Sequence, residues 1–189
     1  MIYLSKVTVA QAEEMLQAMH VEQLANFQFF EKKVGVTRQR AYLRRIERDG
    51  AILYGIRLRK GNQLIGTIGL HDVDAHLKTA RLGVMIFSEN YRGGGRGRRA
   101  IQLLLNRAFK DTRLKLNKVY LNVFASNFKG QHLYESMGFD FEGRLKEEYL
   151  LRGEYHDLIR LAMLRRTWEQ VRRDWVLAKA KTKRGTKKK

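Results

Sequence analysis

Tyr91-Arg92-Gly93-Gly94-Gly95-Arg96-Gly97-Arg98-Arg99-Ala100 is the stretch on which the reading of this chain turns. It stands between a run with strand character, Ala80 to Phe87, and a run from Arg99 to Phe109 in which Ile101, Leu104, Leu105 and Ala108 repeat at the helix period. Glycines let backbone N–H groups converge on an anion with no Cβ in the way, and a helix N-terminus adds roughly half a positive charge. Arg92, Arg96, Arg98 and Arg99 add guanidinium groups, so the loop suits a pyrophosphate. A flexible hairpin loop would carry the same glycines. Two better-known phosphate loops are excluded: no Gly-Lys-Ser/Thr follows, and several antiparallel-looking strands precede the glycines with no acidic ribose partner in the expected place.

Upstream, Ile2 to Val7 alternates like a strand, and Thr8 with Gln11 forms a capping box for a helix reaching about His20. Helical spacing continues from Val21 to Lys33, and Thr37 is expected to cap a further helix that carries Tyr42, Leu43 and Ile46 on one face and stops at Gly50. Ile52 to Leu58 and Leu64 to Val73, joined through Lys60-Gly61-Asn62, read as a hairpin. Downstream of the glycine loop and its helix come a strand, Lys118 to Phe124, a short helix from about Phe128 to Met137 stopped by Gly138, and two strands, Phe141 to Leu151 and Tyr155 to Leu164. The order strand, glycine loop, helix, strand is an α/β (α+β) signature. A basic helix and a lysine-rich tail close the chain.

The 189 residues suit one domain, expected over 1–165, with 166–189 as the basic C-terminal helix and tail. The absence of cysteine excludes disulfides, thiolate metal sites and a cysteine nucleophile, so any group transfer passes through no enzyme-bound thioester. No metal is expected. No stretch approaches the ~20 apolar residues of a membrane span, and neither end has a signal-peptide pattern, which makes the cytoplasm the expected compartment and excludes a membrane partner. A net charge of +19 points to an anionic neighbour such as RNA, the ribosome or a phosphate-rich cofactor, or to a solubility trait. Lys179 to Lys189 holds seven of those positive charges with no acid among them.

Arg92-Gly93-Gly94-Gly95-Arg96-Gly97 resembles the Arg/Gln-x-x-Gly-x-Gly/Ala motif with which GCN5-related N-acetyltransferases, the GNAT family, hold the CoA pyrophosphate. Asn127-Phe128-Lys129-Gly130-Gln131-His132-Leu133-Tyr134-Glu135-Ser136-Met137-Gly138-Phe139 is similar to the family's Asn-x-x-Ala-x-x-Leu-Tyr-Glu-x-x-Gly-Phe helix. Gly153-Glu154-Tyr155-His156-Asp157 resembles the last hairpin of the subgroup that contains ribosomal-protein N-terminal and polyamine acetyltransferases. The resemblance covers most of residues 1–165 and implies a central mixed, largely antiparallel sheet of about six to seven strands, helices on both faces and a splayed parallel strand pair.

It also implies acetyl-CoA as the acyl donor, with Arg92, Gly93, Gly94, Gly95, Arg96, Gly97 and Arg98 at the pyrophosphate. Val84, Met85, Ile86 and Phe87 would hold the pantetheine arm through their backbone, a main-chain N–H near Met85 or Ile86 meeting the thioester carbonyl. Asn127 would bond the arm or cap its own helix. Tyr134 matches the family's general acid, against a packing role beside Leu133 and Met137. Many relatives carry a glutamate where Arg81 stands, and an arginine cannot accept a proton at neutral pH, so the base is sought at His71, Asp72 or a water chain. Phe30, Tyr149 and Tyr155 are candidates for the acceptor groove. The acceptor is an unknown primary amine: a protein N-terminus or other amine on a polyanionic partner fits the charge, a small-molecule amine or antibiotic is an alternative, and a polyamine is disfavoured by repulsion. A polyanion-binding protein that keeps the fold and CoA site without turnover is a different class of reading, and the chain is expected to be a monomer or homodimer.

Overall fold

The computed structural model describes residues 1–19 and 35–185, with side chains described as far as Trp175. The helical run expected over 21–33, Phe30 included, lies outside the described residues. Seven strands form one sheet in the order β1-β2-β3-β4-β5-β7-β6: β1 is Ile2–Lys6, β2 Ile52–Leu58, β3 Leu64–Asp74, β4 Thr79–Ile86, β5 Lys118–Phe124, β6 Asp140–Leu151 and β7 Glu154–Leu164. Every neighbouring pair is antiparallel except β4 and β5. This is the mixed α+β sheet expected from the motifs. Both hairpins turn where the sequence places them, Asn62 and Gly61 taking positive φ in the first, Arg152 and Gly153 in the second.

Helices cover both faces. Helix α1, Ala12–Ala18, and α2, Val36–Arg48, bury Ala12, Met15, Leu43 and Ile46 against Leu64 and Phe87 on one side. Helix α3, Arg96–Lys110, lays Ala100, Ile101, Leu104, Leu105 and Ala108 on the other side, over Ile68, Leu82, Val119 and Leu121. Helix α4, Phe128–Glu135, closes the end of β5, and α5 is Arg165–Gly185.

Helix boundaries differ from expectation in two places. Helix α2 begins at Val36, not beyond Thr37, because Gly35 in extended conformation accepts the Gln39 N–H at 3.0 Å and starts the first turn earlier. A 3-10 turn, Val9–Gln11, precedes α1, and it carries the reciprocal capping box read from the sequence, the Gln11 side chain accepting from the Thr8 N–H at 2.8 Å and the Thr8 side chain facing the Gln11 N–H.

Helix α5 starts inside the core. Trp168 is 2% exposed and its ring lies 5.2 Å from Phe109, while Arg165 donates to the carbonyls of Phe109 and Leu116 at 2.6 and 2.8 Å. Those bonds satisfy carbonyl groups at and beyond the end of α3 and fix the angle at which α5 leaves the sheet. Among the described residues, no helix is long and apolar enough to cross a membrane.

Among the described residues the deepest charge is the Arg57 side chain, 7% exposed on β2. Glu14 of α1 meets it with two hydrogen bonds of 2.6 and 2.5 Å, and Ser5 and the Asn62 carbonyl take two more. The Arg57 hydrogen bond holds the Glu14 carboxyl below its ordinary value of 4.5. With the folded value depressed, the pair contributes fully above the unfolded pKa and is lost as pH falls through the folded one. Glu14→Gln is expected to lower stability by about 1–3 kcal/mol, leaving a buried guanidinium without its counter-charge, and to flatten the acid limb of the unfolding midpoint against pH. Chemical denaturation at pH 7 and pH 3 measures both.

Candidate functional site

Strands β4 and β5 pair only at their beginnings, Thr79 with Lys118, Ala80 with Val119 and Arg81 with Tyr120. Beyond that point each is held on its other side, β4 by β3 and β5 by β7, and the two diverge. The result is a fork in the middle of the sheet with ladder groups on both arms left unpaired, which is rare in a sheet interior unless something else fills it. The Phe87 N–H donates to the Ile65 carbonyl at 2.9 Å. Alternation along the register with β3 turns the Met85 N–H toward Thr67 and the Val84 and Ile86 N–H groups into the fork.

Strand β3 comes unusually close to that arm. A Cβ at Gly66 would collide with the Met85 carbonyl oxygen, so the β4 backbone sits where only glycine on β3 admits it. Sequence reading passed over Gly66, although an isolated glycine in an otherwise apolar strand is a signal of close backbone approach.

The glycine loop lies past the end of β4 and opens α3. Gly93, Gly94 and Gly95 take φ of +73°, +54° and +71°, and Gly95 is the cap whose carbonyl accepts from the Arg99 N–H at 2.9 Å. Three successive left-handed residues turn their N–H groups to one concave side, and the first-turn N–H groups of Gly97 and Arg98 have no partner within a helix. A Cβ at Gly93, Gly95 or Gly97 would meet nothing within 4 Å. That open concavity at a helix N-terminus fits a pyrophosphate.

The arginines beside it divide. The Arg96 guanidinium folds back over Gly94, and Arg92 bonds Glu89 at 3.2 Å. Arg98 spans from α3 to α4, donating to the Ser136 hydroxyl at 2.5 Å and the Ser136 carbonyl at 3.3 Å, and Arg99 reaches Gln102. Arg98 therefore ties the glycine loop to the helix that carries Tyr134.

Asn127 caps α4, its Oδ1 accepting the Gly130 N–H at 2.9 Å. Gln131, another residue that sequence reading left aside, donates to the carbonyls of Phe124 and Ala125 at 3.2 and 2.9 Å and fastens α4 to the end of β5. Tyr134 then lies against Phe139 edge-on, with ring centroids 5.8 Å apart. Burial pushes its phenol up to about 12, and among the described residues nothing hydrogen-bonds its hydroxyl. It is a protonated donor throughout the neutral range.

On the opposite face, His71 of β3 stands across from Arg81 of β4, with its Nε2 3.1 Å from where a Cβ at Gly83 would stand. Burial and then the Arg81 charge lower its pKa, so it is neutral at pH 7 and able to accept a proton. Asp72, in left-handed conformation, turns its carboxylate to Arg81 Nε at 2.5 Å. Tyr149 and His156 each meet the Phe124 ring edge-on, at 5.5 and 5.6 Å, and build an aromatic wall beyond the fork. Tyr155 is 64% exposed at the end of the β6–β7 hairpin, on alternate register to His156. A separate cavity of about 720 Å³ lies on the α1 side, lined by Glu14, Arg57, Asn62, Ser88 and Tyr91. It does not include the fork.

A splayed parallel pair, a glycine loop at the following helix and a tyrosine helix after the second strand occur here in one chain, and the family model for the acetyltransferase (GNAT) family matches residues 16–139. This chain belongs to the GNAT family. Curated relatives include the spermidine N(1)-acetyltransferase of Vibrio cholerae, 38% identical over 53% of this chain and 57% of its own length. A Bacillus subtilis protein, provisionally named ribosomal N-acetyltransferase YdaF, is 33% identical over 56% of each chain. The chain thus spans about half the length of the curated relatives it matches. Among solved structures, the Vibrio cholerae spermidine N-acetyltransferase in complex with CoA and spermine superposes with a TM-score of 0.75 at 24% identity, covering 88% of this chain and 97% of that one. A chimera of the same enzyme gives 0.77 at 24%, over 88% and 97%. At that identity the likeness is one of fold.

Gly66→Ala is expected to displace the Met85–Ile86 backbone and weaken CoA binding about tenfold or more, with a fall in melting temperature of several degrees, since one kcal/mol is worth about 2–4 °C in a chain of this size. Isothermal titration with CoA and a thermal melt check the two effects.

Proposed function

We propose that this chain is an acetyl-CoA-dependent N-acetyltransferase that acts on a primary amine. The observation that carries the proposal is the fork between β4 and β5, with the glycine loop beyond one arm and Tyr134 on the helix that follows the other. Family membership supports acetyl-CoA as donor, and a neighbour of the same fold binds CoA. The donor supplies an acyl group activated as a thioester.

Each residue has a task that its position allows. The loop N–H groups of Gly93 to Gly97 would hold the pyrophosphate, with Arg96 beside it. The Val84 and Ile86 N–H groups, turned into the fork, would meet the arm and polarise the thioester carbonyl; Met85 contributes its backbone to the β3 side. Asn127 fixes the start of α4, and through that helix the Tyr134 hydroxyl, whose proton goes to the departing sulfur. His71, held neutral, is the group on the acceptor face suited to take the ammonium proton. Asp72 is engaged by Arg81 and serves to place that guanidinium.

The acceptor enters from the α2 side, along the wall formed by Phe124, Tyr149 and His156. The relatives' names point to amines of two kinds, spermidine and a ribosomal acceptor. A net charge of +19 opposes a polycation and favours an amine presented near negative charge. That same charge supports a second reading, a polyanion-binding protein that retains the CoA site. In that reading removal of residues 179–189 weakens RNA binding, with a steep salt dependence, and leaves CoA binding intact.

Release of free thiol from acetyl-CoA, measured across peptide N-termini, aminoacyl-tRNA and small amines, tests the transferase directly, and the absence of cysteine leaves no background from the protein. Tyr134→Phe is expected to reduce kcat by about 10²–10⁴-fold with CoA affinity retained. Because the Tyr134 phenol titrates only near 12, the wild-type pH profile should show no loss of the acid through pH 10. A fall in kcat/KM toward acid, with an apparent pKa below the ordinary 6.5 of histidine and absent in His71→Gln, is expected for His71 as the base. Acetyl-CoA binding without release to any acceptor would favour the binding-module reading.

A further inference from the structure

Two arginines face the mouth of the fork on its acceptor side. Arg81 stands opposite Tyr120 in the last paired rung of β4 and β5, and Asn122, two residues further along β5, stands opposite Arg160 of β7. Partners in register share a face, as do residues two apart on a strand, so Arg81, Tyr120, Asn122 and Arg160 all lie on the side away from α3. The Arg160 guanidinium is laid over the Tyr120 ring at 4.9 Å, and its Nε donates to the Asn122 Oδ1 at 3.2 Å.

The two differ in what balances them. Arg81 has the Asp72 carboxylate. Among the described residues, Arg160 has no carboxylate within ion-pair distance. A guanidinium carries five N–H donors in a rigid plane, and here one is used on a neutral amide while the ring beneath holds the plane in place. The half-buried head has little freedom left to lose when it closes on an anion. Nearby described groups carry both signs: Arg45 of α2 lies over Tyr42, which also feels Arg81, while Asp140 of β6 stands opposite Ala162 on the same face, outside ion-pair distance of Arg160, and Glu142 is taken by Lys118.

We infer that the acceptor amine carries a carboxylate or phosphate of its own, which Arg160 grips in bidentate fashion while the amine points into the fork. The inference rests on the acetyltransferase reading above and names its substrate class. The fixed guanidinium attracts an anion and repels a second ammonium, so the site discriminates against diamines of the same length. Tyr120 and Asn122 act by holding Arg160, and Arg81, neutralised by Asp72, adds a smaller share of the field.

The test compares 4-aminobutanoate, 2-aminoethyl phosphate and 1,4-diaminobutane as acceptors for the full chain and for Arg160→Gln, Arg160→Glu and Arg160→Lys. Thiol release gives kcat/KM, and calorimetry measures binding of each amine to the CoA-loaded protein. One or both anionic amines are expected to exceed the diamine by about tenfold or more in kcat/KM, and which of them leads tells carboxylate from phosphate. Arg160→Gln should remove that preference, Arg160→Glu should reverse it and Arg160→Lys should keep part of it, all with unchanged CoA affinity. The inference is overturned if wild type prefers the diamine, or if Arg160→Gln and Arg160→Glu, folded and binding CoA, leave the ratio as it was. If no amine turns over, calorimetry decides: binding of an anionic amine that Arg160→Gln abolishes supports the anion site and counts against the transferase alone, whereas no such binding overturns the anion site.

Discussion

The parallel pairing of β4 with β5 stops after Arg81 and Tyr120, and most of what this protein can do follows from that interruption. A sheet strand with unpaired N–H and C=O groups in its interior is costly unless a ligand completes the ladder. Here β3 and β7 pair with the outer sides of the two arms, and beyond Arg81 and Tyr120 the arms do not pair with each other. The gap therefore persists as an extended slot, lined by main chain, whose contacts do not depend on side-chain identity.

Several structural devices keep the slot in register with the groups around it. Gly66 lets β3 press against the Met85 carbonyl and sets the line of one arm. Gln131 bonds the end of β5 and seats α4 at the tip of the other. Arg98 joins α3 to α4 through Ser136, so the glycine loop and the helix that presents Tyr134 are tied together. Trp168 and Arg165 brace the far end of α3 from the C-terminal helix. The loop at one end of α3 is thus positioned by contacts along the whole helix.

Charge is distributed unequally over the two faces of the fork. On the α3 side the field comes from the glycine loop, a helix N-terminus and arginines around it, suited to a pyrophosphate. On the α2 side it comes from Arg81 and Arg160, one balanced by Asp72 and the other held by a ring and an amide. The proposed preference for an anionic acceptor rests on that second face. A glutamate at the Arg81 position would give the face a base and a negative charge together; with arginine there, the neutral His71 is the proposed acceptor of a proton.

The amino-acid sequence by itself determined the strand and helix order, the glycine loop and the tyrosine helix, because hydrophobic period, turn residues and two spaced motifs are local signals. It was also enough to expect the splayed pair, through resemblance to a family whose motifs flank it. Tertiary structure alone decided which N–H groups face the fork, since that depends on the phase of β4 against β3. The same holds for Arg98, which the motif assigned to phosphate and the fold ties to Ser136, for Asp72, which lies next to His71 in the chain and pairs with Arg81 in space, and for Tyr155, exposed at a hairpin end. Arg160 had no local signal at all: its meaning comes from lying across β5 from Asn122 and over Tyr120, residues about forty positions away that only sheet register brings together.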